Sequence, residues 1–282
     1  MAVASAAVMT GQASAQPAAE HEFSTVVIPV GPSLLAARTI GQGPLVVLHP
    51  SLGRPGLDWD PVAELLADAG FQAVSFDPRG IGQSTTPPEA MVGTTLRQMA
   101  DDMYAVVKHF GPRAHVAGHA FGNRVARMLA VSHPEVVSTV TLCAGGSSIP
   151  NPTATANLIA IANPLTPQPQ FEAAVRQNFF APGNDPTSWY INWYRPGMAM
   201  EEVATATTPG EEFESGGNAP MLVVQGMEDF VAPPAATEQL AQDYPDRVTR
   251  VEVENAGHAL IDEQPDAIAA IMIDYLRAHP LG

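Results

Sequence analysis

Positive charge is scarce in this 282-residue chain. It carries 13 Lys and Arg against 29 Asp and Glu, a formal net charge of −16. Such a surface repels phosphate backbones and anionic lipid, which argues against a nucleic-acid or membrane partner. Cysteine is nearly absent: Cys143 stands alone, so no intrachain disulfide is possible. Within the apolar run Thr139–Ala144 it reads as a small buried hydrophobe, outside any turn that would present a nucleophile. No His, Asp and Glu spacing suggests a metal site, and no dinucleotide fingerprint implies a cofactor. Internal repeats and heptads are missing too. What remains is a globular composition, 46% hydrophobic and 15% charged, long enough to bury a substantial core.

The first residues read as an address rather than as structure. Met1–Met9 is rich in Ala and Val, too short to span a bilayer, and Ala13-Ser14-Ala15 before Gln16 fits a small-x-small cleavage site. A basic leading region is missing. Residues 1–20 are therefore expected to be the end of a secretory signal, with export to a periplasmic or extracellular space. The alternative is a flexible Ala/Ser tail on a cytoplasmic protein.

From Phe23 onward, short apolar runs alternate with helical patterns. Phe23–Val30, Leu34–Arg38, Leu45–His49, Phe71–Phe76, His115–Ala117, Val137–Ala144, Met221–Gln225 and Val248–Val253 read as strands. Leu45–His49 is continuously apolar, as expected for a strand covered on both faces. Asp60–Ala69 reads as a helix with Asp60 as N-cap and Pro61 in first position. Thr95–Phe110, Asn123–Ser132, Thr237–Tyr244 and Pro265–His279 read as further helices. This alternation predicts an α/β fold with a mostly parallel central sheet flanked by helices. The rhythm breaks over residues 150–219, which are rich in Pro and Gly and hold the aromatic cluster Phe179, Phe180, Trp189, Tyr190, Trp193 and Tyr194.

Residues 118–122 read Gly-His-Ala-Phe-Gly. This is the glycine frame of a nucleophile elbow, G-x-S-x-G, with Ala120 in the nucleophile's place. Asp77-Pro78-Arg79-Gly80-Ile81-Gly82-Gln83-Ser84 forms a second marked turn. Late in the chain, Gly226-Met227-Glu228-Asp229-Phe230-Val231-Ala232-Pro233-Pro234 follows a strand, and Asn255-Ala256-Gly257-His258-Ala259 fills the loop before the last helix. In this order the layout resembles the α/β-hydrolase family over Phe23–Leu281. The resemblance implies a core at 21–149 and 220–282 with a helical cap at 150–219. It implies Asp229 as the acid, with Glu228 its neighbouring alternative, and His258 as the base. The Asp77–Ser84 turn matches the family's D-x-R-G-x-G-x-S scaffold.

An oxyanion hole needs two backbone N–H donors. The resemblance assigns one to Phe121. The other belongs to the loop after Leu45–His49, where Pro50 has no N–H to give, so the donor falls to Ser51 or Leu52. Ser51 is also the hydroxyl expected nearest the elbow, either as a relocated nucleophile in reach of His258 or as a loop serine bonded to its own backbone. Arg54 is expected to hold a carboxylate or brace its own loop. His119 faces either the pocket or the base of the helix, and Trp189 and Trp193 are expected to line a binding site for an apolar or aromatic molecule.

Three accounts fit Ala120. The serine has been replaced by design to trap a substrate of an ordinary esterase. Or the alanine is native, as in a bacterial subgroup that Pro50–Arg54 and Gly118–Arg127 resemble, with Ser51 or a water activated by His258 taking over. Or the protein binds a ligand without turnover. The retained acid–base pair favours an enzyme acting on a small ester, lactone or related acyl substrate. Oligomeric state is not legible.

Overall fold

The computed structural model describes residues 21–145, 149 and 151–281. The expected signal at Met1–Met9 and Ala13–Ala15 lies outside them. Eight strands form one sheet: β1 (Ser24–Val30), β2 (Ser33–Ile40), β3 (Leu45–His49), β4 (Gln72–Phe76), β5 (Ala114–His119), β6 (Val137–Cys143), β7 (Met221–Gly226) and β8 (Val248–Val253). Their order is β1-β2-β4-β3-β5-β6-β7-β8. The β1–β2 and β2–β4 pairs are antiparallel, and every pair from β4–β3 to β7–β8 is parallel.

Ten helices accompany the sheet among the described residues: α1 (Asp60–Asp68), α2 (Pro88–Met91), α3 (Leu96–Phe110), α4 (Gly122–Ser132), α5 (Pro152–Ala162), α6 (Gln168–Phe179), α7 (Arg195–Ala206), α8 (Pro234–Asp243), α9 (Leu260–Glu263) and α10 (Pro265–Ala278). The central strands are apolar throughout because both faces are covered, and their two-residue period divides the core. Val47, Val74, Val116 and Val223 pack with α3 and α4. Val46, Leu48, Ala73, Ala117, Leu222 and Val224 pack with α1 and α10. α5, α6 and α7 lie between β6 and β7, where the sequence rhythm breaks. Ile161, Phe171, Val175, Phe179, Phe180 and Trp189 form a third apolar cluster there.

Local chemistry sets the helix ends. Thr95 caps α3 in a capping box with Gln98, which accounts for its start. α1 departs from expectation: its N-cap is Trp59 and Asp60 is already helical. A 3₁₀ turn at Gly56–Trp59 feeds straight into the helix. The Asp60 carboxylate is taken instead by Arg38 on β2, at 2.6 and 3.2 Å.

The elbow joins β5 to α4. Ala120 sits at φ 50°, a left-handed conformation that costs a non-glycine residue roughly 1–2 kcal/mol. Its N–H donates to the Cys143 carbonyl at 2.9 Å. A Cβ on Gly118 would overlap the Gly122 carbonyl carbon, and one on Gly122 would come within 2.6 Å of the His49 carbonyl oxygen. The frame thus has no room for side chains on either flank. Gly118→Ala should lower the denaturant midpoint by the equivalent of at least about 2 kcal/mol. An unchanged midpoint would mean the turn relaxes freely.

Candidate active site

The carboxyl ends of the parallel strands, where open α/β sheets bind ligands, deliver five loops to one cavity of about 450 Å³. Ser51 follows β3, Ala120 and Phe121 follow β5, Ala144 and Gly145 follow β6, Val231 and Ala232 follow β7, and His258 follows β8. The 152–206 segment contributes Ala154, Leu158, Phe179, Trp193 and Glu202.

Asp229 and His258 meet. The His258 Nδ1 lies 2.9 and 3.0 Å from the two Asp229 carboxylate oxygens, and both residues are buried. Asp229 Oδ1 also accepts from the Val231 and Ala232 N–H groups, at 2.9 and 2.7 Å. These contacts fix the carboxylate, and the carboxylate fixes the proton on Nδ1. The His258 Nε2 is then an acceptor open to the cavity, with no hydrogen-bond partner among the described residues. Glu228, the neighbouring alternative, turns away: its carboxylate accepts from the Ala256 N–H at 3.0 Å.

His119 is not on the cavity wall. It is fully buried, and its Nε2 donates to the His258 carbonyl at 2.7 Å, so it braces the backbone that carries the base. Burial, followed by the neighbouring His258, drives its pKa down to about 3 and keeps it neutral. The physical reason is strand parity: His119 shares a face with Ala117 and turns toward Trp59 and Trp189. Trp189 is likewise off the wall. It is wholly buried, with its indole N–H donating to Asp262 at 2.8 Å and its ring packed against Phe179 and Arg54. Trp193 and Phe179 do reach the cavity.

The loop after β3 is held from several sides. Arg54 is buried and makes a two-pronged pair with Asp58 at 2.7 and 2.9 Å, so it braces its own loop. It also donates to the Ile191 carbonyl at 2.6 Å and stacks against Trp189 and Trp193. Arg54→Met should cost about 3–5 kcal/mol, because it strands a buried carboxylate. Adding Asp58→Leu should recover most of that in urea melts, and a double variant as weak as the single one would locate the cost elsewhere. The Asp77–Ser84 turn is scaffold in the same sense. Asp77 accepts from the Gly56 and Gln83 N–H groups, both at 2.7 Å, and Arg79 pairs with Asp102 at 2.6 and 2.7 Å.

One clamp on this loop is illegible from motifs. Glu201 on α7 is fully buried and accepts from the Gly53 N–H at 2.6 Å, and burial raises its pKa well above the usual range. Its spacing from Met198 and Ala204, three residues each way on a buried stripe, is the sequence pattern that would have found it.

Ser51 lines the same cavity as His258, but no hydrogen bond joins its hydroxyl to the ring. Nor does the hydroxyl bond its own backbone; it has no partner among the described residues, while the Ser51 carbonyl accepts from the Arg54 N–H at 3.1 Å. Leu52 and Phe121 both line the cavity, and neither backbone N–H has a partner among the described residues. Cys143 is buried and its thiol is pushed up to about 12 by burial, the environment of an inert side chain.

The profile of the alpha/beta hydrolase family matches residues 45–271. A provisionally named carbamate hydrolase of Variovorax paradoxus (strain S110) is 26% identical over 255 residues, covering 83% of this chain and 92% of that protein. The rhodomycin D methylesterase of Streptomyces sp. (strain C5) is 26% identical over 267 residues, covering 78% and 86%. Among solved structures, a thermophilic esterase from Thermogutta terrifontis, with malate bound, superposes at a TM-score of 0.75. It is 22% identical and covers 92% of this chain and 100% of that one, a likeness of fold.

Proposed function

The chain belongs to the alpha/beta hydrolase family, and we propose that it hydrolyses a small apolar or aromatic ester, lactone or related acyl compound by activating water rather than through an elbow nucleophile. The observation that carries this reading is the His258 Nε2, free and open to the cavity, behind a ring oriented by Asp229. Ala120 offers no hydroxyl, and Ser51 is not hydrogen-bonded to the base.

In this reaction a water in the cavity gives its proton to Nε2 and its oxygen attacks the acyl carbon. The Leu52 and Phe121 N–H groups stabilise the oxyanion that forms. The acyl–oxygen bond then breaks, and the leaving alkoxide takes the proton back from His258. The relatives named as a carbamate hydrolase and a methylesterase support an acyl substrate class. The 150–219 insert serves as the cap, with Trp193, Phe179 and Leu158 holding the apolar part of the substrate.

The test is a hydrolysis panel of aryl acetates and butyrates, γ- and δ-lactones and aryl carbamates, run on wild type and Ser51→Ala. Turnover that survives in Ser51→Ala supports the water route. A loss of about 10²-fold or more would transfer the nucleophile's role to Ser51.

A further inference from the structure

The cavity wall holds an electrostatic arrangement that the hydrolytic reading does not use. Arg124 and Arg127 on α4 both line it. They are three residues apart, so they neighbour one another on one helix face. Arg124 lies in the first turn, where the helix dipole is positive and a cation is disfavoured, and that turn has no acidic residue. Among the described residues neither guanidinium forms an ion pair with a carboxylate. Arg127 is buried and reaches only backbone carbonyls, of Asn123 at 3.3 Å and Glu214 at 3.4 Å, with Phe213 against its face. The Arg124 side chain has no hydrogen-bond partner among the described residues. Burial lowers both guanidinium pKa values, Arg127 to about 10.

Two like charges side by side, one of them in the first turn of a helix and neither in contact with a carboxylate among the described residues, make a costly arrangement. Two acids lie near: Glu202 on the same wall, and Glu214, whose charge acts on both guanidinium groups without an ion pair to either among the described residues. An anionic ligand group would give Arg124 the partner it lacks among the described residues, because charge-assisted bonds to guanidinium are among the strongest polar contacts. The Arg124 guanidinium, without a hydrogen bond of its own among the described residues, suits one carboxylate in a two-pronged pair.

We propose that Arg124 and Arg127 form an anion subsite and that the substrate bears a carboxylate on an otherwise apolar body. The subsite takes the carboxylate, while Leu158, Phe179, Trp193 and Val231 take the apolar part beside His258. This rests on the hydrolytic reading for the word substrate, but the recognition is a binding property and is measured without turnover.

The experiment is calorimetric titration of the full chain with three probes: 4-phenylbutyrate, its neutral amide and phenyl phosphate. Wild type should bind the butyrate roughly tenfold tighter than the amide, and tighter than the phosphate. In Arg124→Gln the butyrate and amide affinities should converge to within about twofold, with the amide's own affinity unchanged. Arg124→Lys should recover part of the preference. Equal binding of butyrate and amide by wild type, which needs no variant, would overturn the subsite, as would a preference that survives Arg124→Gln. Tighter binding of phenyl phosphate would overturn the carboxylate assignment. Carboxylate preference without any hydrolysis would defeat the catalytic reading alone, and hydrolysis without the preference would defeat the subsite alone.

Discussion

Ala120→Ser should turn the elbow into an acylating site. Every neighbouring part is in place: the strained φ of 50°, the crowded glycines, an oriented His258 and, on the same cavity, a Phe121 N–H without a partner among the described residues. The substitution adds one oxygen where the backbone already holds the left-handed turn. The new hydroxyl gives its proton to the His258 Nε2 and attacks the acyl carbon. The alcohol leaves with that proton, and water then frees the acyl group. With p-nitrophenyl butyrate, the expected result is a burst of one p-nitrophenol per enzyme and a rate gain on the order of 10³. A fluorophosphonate should label Ala120→Ser at residue 120 and leave that position in wild type untouched. A variant that folds, shows no burst and resists labelling would mean that His258 is not aligned with the elbow.

Removing the base should have the largest effect in the opposite direction. His258→Ala and Asp229→Asn are each expected to lower kcat/KM by about 10³–10⁴. The two losses have different origins. His258→Ala removes the proton acceptor. Asp229→Asn keeps the shape, and its amide oxygen can still accept from the Val231 and Ala232 N–H groups that hold Asp229 now. Its amide nitrogen, however, would donate to Nδ1 and move the imidazole proton to Nε2, where it blocks acceptance. Thermal midpoints measured alongside separate this from damage to the fold. Unchanged kcat/KM in both variants would put the chemistry elsewhere or leave a protein that only binds.

Much of this was legible in the sequence, for reasons that differ by element. The core strands announced themselves because both faces are buried, and runs such as Leu45–His49 have no polar side to obscure them. Asp229 and His258 were legible through the family resemblance, which puts an acid and a histidine in loops at strand ends, where chemistry is carried. The structure adds what flanks cannot give, namely that Asp229 and not Glu228 meets the ring. The elbow motif alone allows His119 two orientations, and strand parity with Ala117 decides between them. Trp189 shows the limit of composition: an aromatic cluster announces packing, but which ring faces the cavity depends on how α5, α6 and α7 fold over the sheet. α5 in particular has apolar residues on several sides, with Ile161 buried and Ile159 exposed, so its buried face could not be read from spacing. That Arg124 has no hydrogen-bond partner among the described residues was invisible for the same reason, since it depends on how the elements around it fold.

The central claim is that the Asp229–His258 pair works on water with no covalent intermediate on the protein. Rapid-quench intact-mass spectrometry of wild type during turnover of an aryl ester tests it most directly. The account predicts the unmodified mass at every time point while product accumulates. A transient acyl adduct, mapped to Ser51 or any other side chain, would contradict it.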